Sequence, residues 1–142
     1  MAERYLEVTQ DSGRAFVMRG IQGPVDMLNL LRFRDVADYS QHPALAPAEP
    51  ISGRAAYARY SAHTRPFLEA SGGQVLYAGR GGAPLIGPTD EHWDLVLVVR
   101  HRDTQTFLSF ARNADYLSGI GHRTAALADS RLLPMTASSF TP

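Results

Sequence analysis

The sequence contains no cysteine, and all fourteen of its basic residues are arginine, so lysine is absent as well. The first absence excludes a disulfide framework, a thiolate nucleophile, a zinc–sulfur centre and a cysteine-ligated iron–sulfur cluster. The second excludes Schiff-base and pyridoxal-phosphate chemistry and a Walker-type phosphate loop. What remains is the chemistry of His, Asp, Glu, Tyr, Arg, Ser, Thr and Asn. Arginine in place of lysine reads as codon bias more readily than as phosphate recognition. Excess charge is missing too. Fourteen acids balance the fourteen arginines, which leaves no broad field to attract nucleic acid or an anionic membrane; neither is expected as a partner. No run approaches the roughly 20 apolar residues of a membrane span. The opening MAERYLEVTQDSG lacks the apolar centre of a signal peptide, so a cytoplasmic location is expected.

The length of 142 residues suits a single domain, 1–142. Thr9 caps a short helix to about Arg19, with Gly20 placed to stop it, and residues 1–22 form an N-terminal helical extension. VDMLNLLRF (Val25 to Phe33) reads as a strand. Residues 35–51, with Pro43, Pro47 and Pro50 and little periodicity, form a long arm packed over the domain or over a partner. Ser52 caps a helix to about Ala70 in which Pro66 implies a kink or late break. QVLYA (Gln74 to Ala78) and WDLVLVVR (Trp93 to Arg100) are strands. Asp103 caps a third helix. After a break near Asn113–Asp115 a second helical piece carries Leu117, Ile120, Thr124 and Leu127 as one stripe, and Arg131 to Met135 is a last short strand.

Without the extension the order is β-α-β-β-α-β, the ferredoxin-like split βαβ arrangement in the α+β class. Right-handed crossovers put both helices on one face of an antiparallel sheet. Yet both faces of the central strands are apolar. Val25, Met27, Leu31 and Phe33 alternate with Leu28 and Leu30, and Leu95, Leu97 and Val99 alternate with Val96 and Val98. A sheet apolar on both sides must be covered on both. A second copy of the chain is the economical cover, which predicts a homodimer with a cavity between the two sheets.

The segments PVDMLNLLRF, ISGRAAYARY, EASGGQVLYAG, HWDLVLVV and ADYLSGIGHRTAALADSRLLPM resemble an uncharacterised bacterial domain-of-unknown-function family within the dimeric α/β-barrel superfamily. The resemblance runs from about Gln22 to Met135. It implies the ferredoxin-like subunit and the dimeric α/β barrel. Other branches of that superfamily include cofactor-free monooxygenases, muconolactone isomerases and heme proteins, but fold does not carry function. None of the five histidines sits in a recognisable heme context, and no cofactor is expected.

Candidate chemistry rests on polar interruptions of apolar segments. Asn29 breaks the Val25–Phe33 face and would orient a ligand carbonyl or hydroxyl, or tie strand to loop. Asp94, expected near Asn29, is a candidate acid or base in an apolar site; the ordinary alternative is a salt bridge to Arg32 or Arg123. His122 is a candidate base beside Arg123, a bidentate anion holder on the same helical face as Tyr116; an Arg–Asp bridge at the helix end is the alternative. Arg32 is a second anion holder, and His63, on the Tyr60–Phe67 stripe, a candidate ligand contact or a packed helix residue. His92 and Asp94 are too few for a metal, so none is expected. Gly79–Gly82 leads into no helix and is not a phosphate loop. The resulting expectation is a cofactor-free enzyme (isomerase, dehydratase or monooxygenase-like) acting on a small, partly apolar organic molecule, with a non-catalytic ligand-binding or structural homodimer as the alternative.

Overall fold

The computed structural model describes residues 4–140. Helix α1 (Gln10–Met18) starts at Thr9, whose side chain accepts from the Ser12 amide while Ser12 reciprocates. It stops at Gly20, which takes the left-handed φ of 59° that a Cβ would strain. Strand β1 (Val25–Phe33) follows, then α2 (Gly53–Ala70), β2 (Gln74–Arg80), β3 (Leu95–His101), three short helices α3 (Thr104–Arg112), α4 (Ala114–Leu117) and α5 (Ile120–Ala126), and β4 (Leu127–Met135). The sheet order is β2-β3-β1-β4, every neighbour antiparallel. This is the ferredoxin-like architecture that the element order predicts.

Strand parity sets the two faces. Val25, Met27 and Leu31 are buried under the helices. Leu31 joins Tyr39, Ala56, Tyr57, Ala125, Ala126 and Leu127 in one core cluster. The other parity places Leu28 opposite both Val98 and Leu133, and Leu30 opposite Val96. No helix among the described residues covers that side, and Tyr77 and Leu133 there are more than half exposed.

Local expectations were corrected in three places. Helix α2 runs four residues past Pro66 without a break; the proline stands in the exposed penultimate turn. The second helical piece divides at Gly119, whose backbone is pressed against the His63 ring, so α4 and α5 are separate. Strand β4 begins at Leu127, not Arg131. An Ala-Ala-Leu run favours helix by propensity, and pairing with β1 overrides it, with the Asp129 carboxylate accepting from the Tyr5 and Ser130 amides. The arm packs on its own domain: Asp38 N–H donates to the Ala125 carbonyl, and a one-turn 3-10 helix at Pro43–Leu45 sits where Gly121 lets His42 and Leu45 approach α5.

Candidate functional site

A cavity of about 1310 Å³ lies between the sheet and its helices, on the opposite side of the sheet from the one the two-sheet expectation implied. Its floor is the helix-facing parity of the strands, including Met27, Asn29, Leu97 and Val99. Its roof comes from α2, α3, α4 and α5, and Phe16 of α1 closes one end. The space exists because α2 packs against α5, whereas α3 reaches the sheet chiefly through Phe107 and Phe110 against His101.

Aromatic rings line this space in an unbroken arc. From Tyr57 the centroids step 5.2 Å to Tyr60, 6.1 Å to Tyr116, 4.6 Å to Phe110, 5.5 Å to His101 and 4.9 Å to Phe107. Offset and edge-on contacts at these spacings are the favourable ones. The Tyr60 and Tyr116 hydroxyls share a 2.7 Å hydrogen bond. Burial pushes the Tyr57 and Tyr116 phenols well above the usual tyrosine range, so both keep their protons at neutral pH. Burial also pushes His101 down to about 4, so its imidazole is neutral. Among the described residues, Thr64 Oγ1 and His101 Nδ1 beside the cavity are buried without a hydrogen-bond partner, as are Arg34 Nε and Thr104 Oγ1 away from it.

Of the residues that the sequence nominates, the fold brings Asn29, Tyr116 and Arg123 to this cavity. Asn29 donates to the carbonyl of Met27 on its own strand. Arg123 donates to the Leu6 carbonyl at 2.8 Å and, at 3.4 Å, to Ser130 Oγ. The break between α4 and α5 does not separate Tyr116 from Arg123, because both pieces turn the same side to the cavity.

Asp94, His122, His63 and Arg32 lie outside its described lining. Asn29 faces Leu97 in the register, so Asp94 is three residues away rather than adjacent. Its Oδ2 accepts the Phe33 amide at 2.8 Å and its own amide donates to the Leu31 carbonyl, extending the β1–β3 ladder past its last pair. It forms an ion pair with neither Arg32 nor Arg123; its Oδ1 lies 3.8 Å from His92 Nε2. His122 Nδ1 bonds the Tyr39 hydroxyl at 2.7 Å, joining arm to α5, and burial, then Arg59, holds its pKa below the histidine norm. The His63 Nε2–H donates to the Asp115 and Tyr116 carbonyls, joining α2 to α4. Arg32 stands opposite Asp129 on the uncovered face.

Sequence reasoning missed His101 and Thr64. The alternation Leu95, Leu97, Val99, continued by one step, reaches His101 and puts it on the cavity side. Thr64 follows Tyr60 by four residues, one helical turn along the same face. Among the described residues, no group of three or more His, Asp or Glu side chains is placed to hold a metal ion.

No family model matches the sequence, and no curated protein matches it. Solved structures do. The Rhodopseudomonas palustris protein RPA0582, described as a protein of unknown function, is 32% identical, with a TM-score of 0.83 over 99% of this chain and 100% of that one. Methylated RPA0582 gives 32% identity and a TM-score of 0.85 over 96% of each chain. A DABB family protein with a ferredoxin-like fold from Mesorhizobium loti is 11% identical, with a TM-score of 0.52 over 83% of this chain and 100% of that one. That last likeness is one of fold.

Proposed function

The chain belongs to the family of the Rhodopseudomonas palustris RPA0582 protein, and from that premise we propose that it is a homodimeric small-molecule-binding protein, holding a largely apolar organic molecule in the sheet–helix cavity of each subunit. One observation carries this reading: between the sheet and its helices the fold leaves a space of about 1310 Å³ walled by an arc of aromatic rings, with Asn29, Tyr60, Tyr116 and Arg123 among its lining residues. A few convergent polar atoms in an apolar concavity are the ordinary form of a ligand site.

Turnover is the weaker reading: burial that pushes His101 down to about 4 makes its imidazole a poor base at neutral pH, and Asp94 and His122 are engaged in structural hydrogen bonds.

A neutral fluorescent apolar probe, N-phenyl-1-naphthylamine, tests the cavity. The parent protein is expected to bind it with saturable fluorescence enhancement. Ala78→Trp, which puts a bulky ring on the cavity wall, is expected to weaken binding about tenfold or more at unchanged secondary structure. Equal binding by parent and variant, or none by the parent, overturns the reading.

A further inference from the structure

Building on the cavity as a ligand site, we propose that its ligand is an organic acid: a ring-sized apolar body bearing one carboxylate, the carboxylate held by Arg123 and by the Tyr60–Tyr116 hydroxyl pair. Three observations converge on that class. First, Arg123 is half-buried at the cavity wall, and among the described residues it pairs with no carboxylate. A guanidinium withdrawn from water without a counter-charge is costly. Of its five N–H donors, the Leu6 carbonyl takes one at 2.8 Å and Ser130 Oγ another at the 3.4 Å limit. The rest of a planar fork, shaped for a carboxylate, is left over.

Second, two phenol hydroxyls that bond each other use only one of their two hydrogens. Whichever of Tyr60 and Tyr116 donates across the 2.7 Å contact, the other retains an O–H to give. Both tyrosines line the same cavity as Arg123. Third, Arg123 stands close enough to the phenol pair for its positive charge to act on the Tyr116 hydroxyl, against the burial that dominates there. The aromatic arc accounts for the remainder of the ligand, since stacked and edge-on ring contacts add to simple apolar burial.

Displacement of N-phenyl-1-naphthylamine by two matched compounds tests the class, 2-naphthoate against 2-naphthalenemethanol at neutral pH. The acid is expected to bind the parent at least about tenfold more tightly than the alcohol, the factor that a charge-assisted hydrogen bond supplies. Arg123→Gln is expected to abolish that preference, bringing the acid-to-alcohol ratio to about one, and Arg123→Lys to restore part of it. If the alcohol competes as well as the acid, or if neither displaces a bound probe, the organic-acid assignment is overturned while the cavity stands. If the probe itself does not bind, the cavity reading fails with it. Arg123 also anchors Leu6, so Arg123→Gln is read beside its circular dichroism. The acid-to-alcohol ratio in the parent needs no variant and decides the assignment by itself.

Discussion

His101 is 3% exposed, and burial alone lowers its pKa from 6.5 to about 4. In the unfolded chain the same imidazole takes up a proton near 6.5. Between those values the unfolded state binds more protons than the folded one, so stability falls as pH falls from about 6.5 towards 4. A shift of this size corresponds to about 3 kcal/mol. The phenylalanine variant, His101→Phe, keeps an aromatic ring between Phe107 and Phe110 and cannot titrate. Urea denaturation of parent and variant across that pH range should therefore give curves that separate by about 3 kcal/mol at the acid end. The carboxylates held low by partners, Asp26 through Arg100 first among its causes, act equally in both and cancel in the difference. Parallel curves would mean that His101 is solvated or already paired. At this scale the sequence was partly legible. Asn29, Tyr116 and Arg123 are visible as polar residues amid apolar ones. His101 hides between Arg100 and Arg102, where a histidine looks like one more charged strand-end residue, and only the continued alternation of β3 reveals its direction. Asp94 misled for the converse reason: an acid beside apolar neighbours suggests a site, yet its carboxylate satisfies a backbone amide that the ending ladder leaves over.

Elements differ in how firmly they are held. Helix α1 has no buried residue. Its side-chain ties to the body are the Phe16 ring set edge-on to Phe107 at 5.8 Å and the Arg19 guanidinium on the Pro134 carbonyl at 2.8 Å. The chain on its N-terminal side is firmer, with Arg4 bonded to the Ala128 and Leu127 carbonyls and Ser130 Oγ to the Tyr5 carbonyl. A helix fixed at one end and lightly seated along its length opens locally without unfolding the domain. Phe16→Ala should accordingly speed hydrogen exchange of the α1 amides about tenfold, the equivalent of losing a partly buried ring, and leave the midpoint of global unfolding nearly unchanged. A large drop in that midpoint would show that α1 belongs to the cooperative core. Helix caps made most elements legible: Thr9, Ser52 and Asp103 each cap the helix that follows them. Gly119 announced the α4–α5 break only through its contact with His63, a tertiary fact that no local pattern encodes.

At the scale of the whole molecule the proposed homodimer rests on the uncovered sheet face. Its centre is apolar, with Leu28, Leu30, Val96 and Val98 in register and Tyr77 and Leu133 beside them. Its margin is charged: Arg100 grips Asp26 through two hydrogen bonds of 2.7 and 2.9 Å. Across the sheet, Arg131 is bonded to Asp129, with its guanidinium 4.7 Å from the Tyr5 ring centroid and 5.1 Å from that of Trp93. An apolar centre inside a polar rim has the anatomy of a protein–protein interface, and the double-sided alternation of β1 and β3 makes that apolar centre legible in the sequence. The cavity was less legible, because a pattern of faces tells which side of a sheet is apolar and not how closely the covering helices sit. In a homodimer formed through this face, Leu133 becomes buried; in an isolated subunit it is 52% exposed. Leu133→Asp should thus cost the single subunit little, within about 0.5 kcal/mol, while an unpaired carboxylate forced into the interface would be prohibitive. Sedimentation equilibrium at micromolar concentration should find the parent at twice its chain mass of 15.5 kDa and Leu133→Asp at the chain mass with native circular dichroism. A monomeric parent, or a variant that stays dimeric, would remove this face from the assembly.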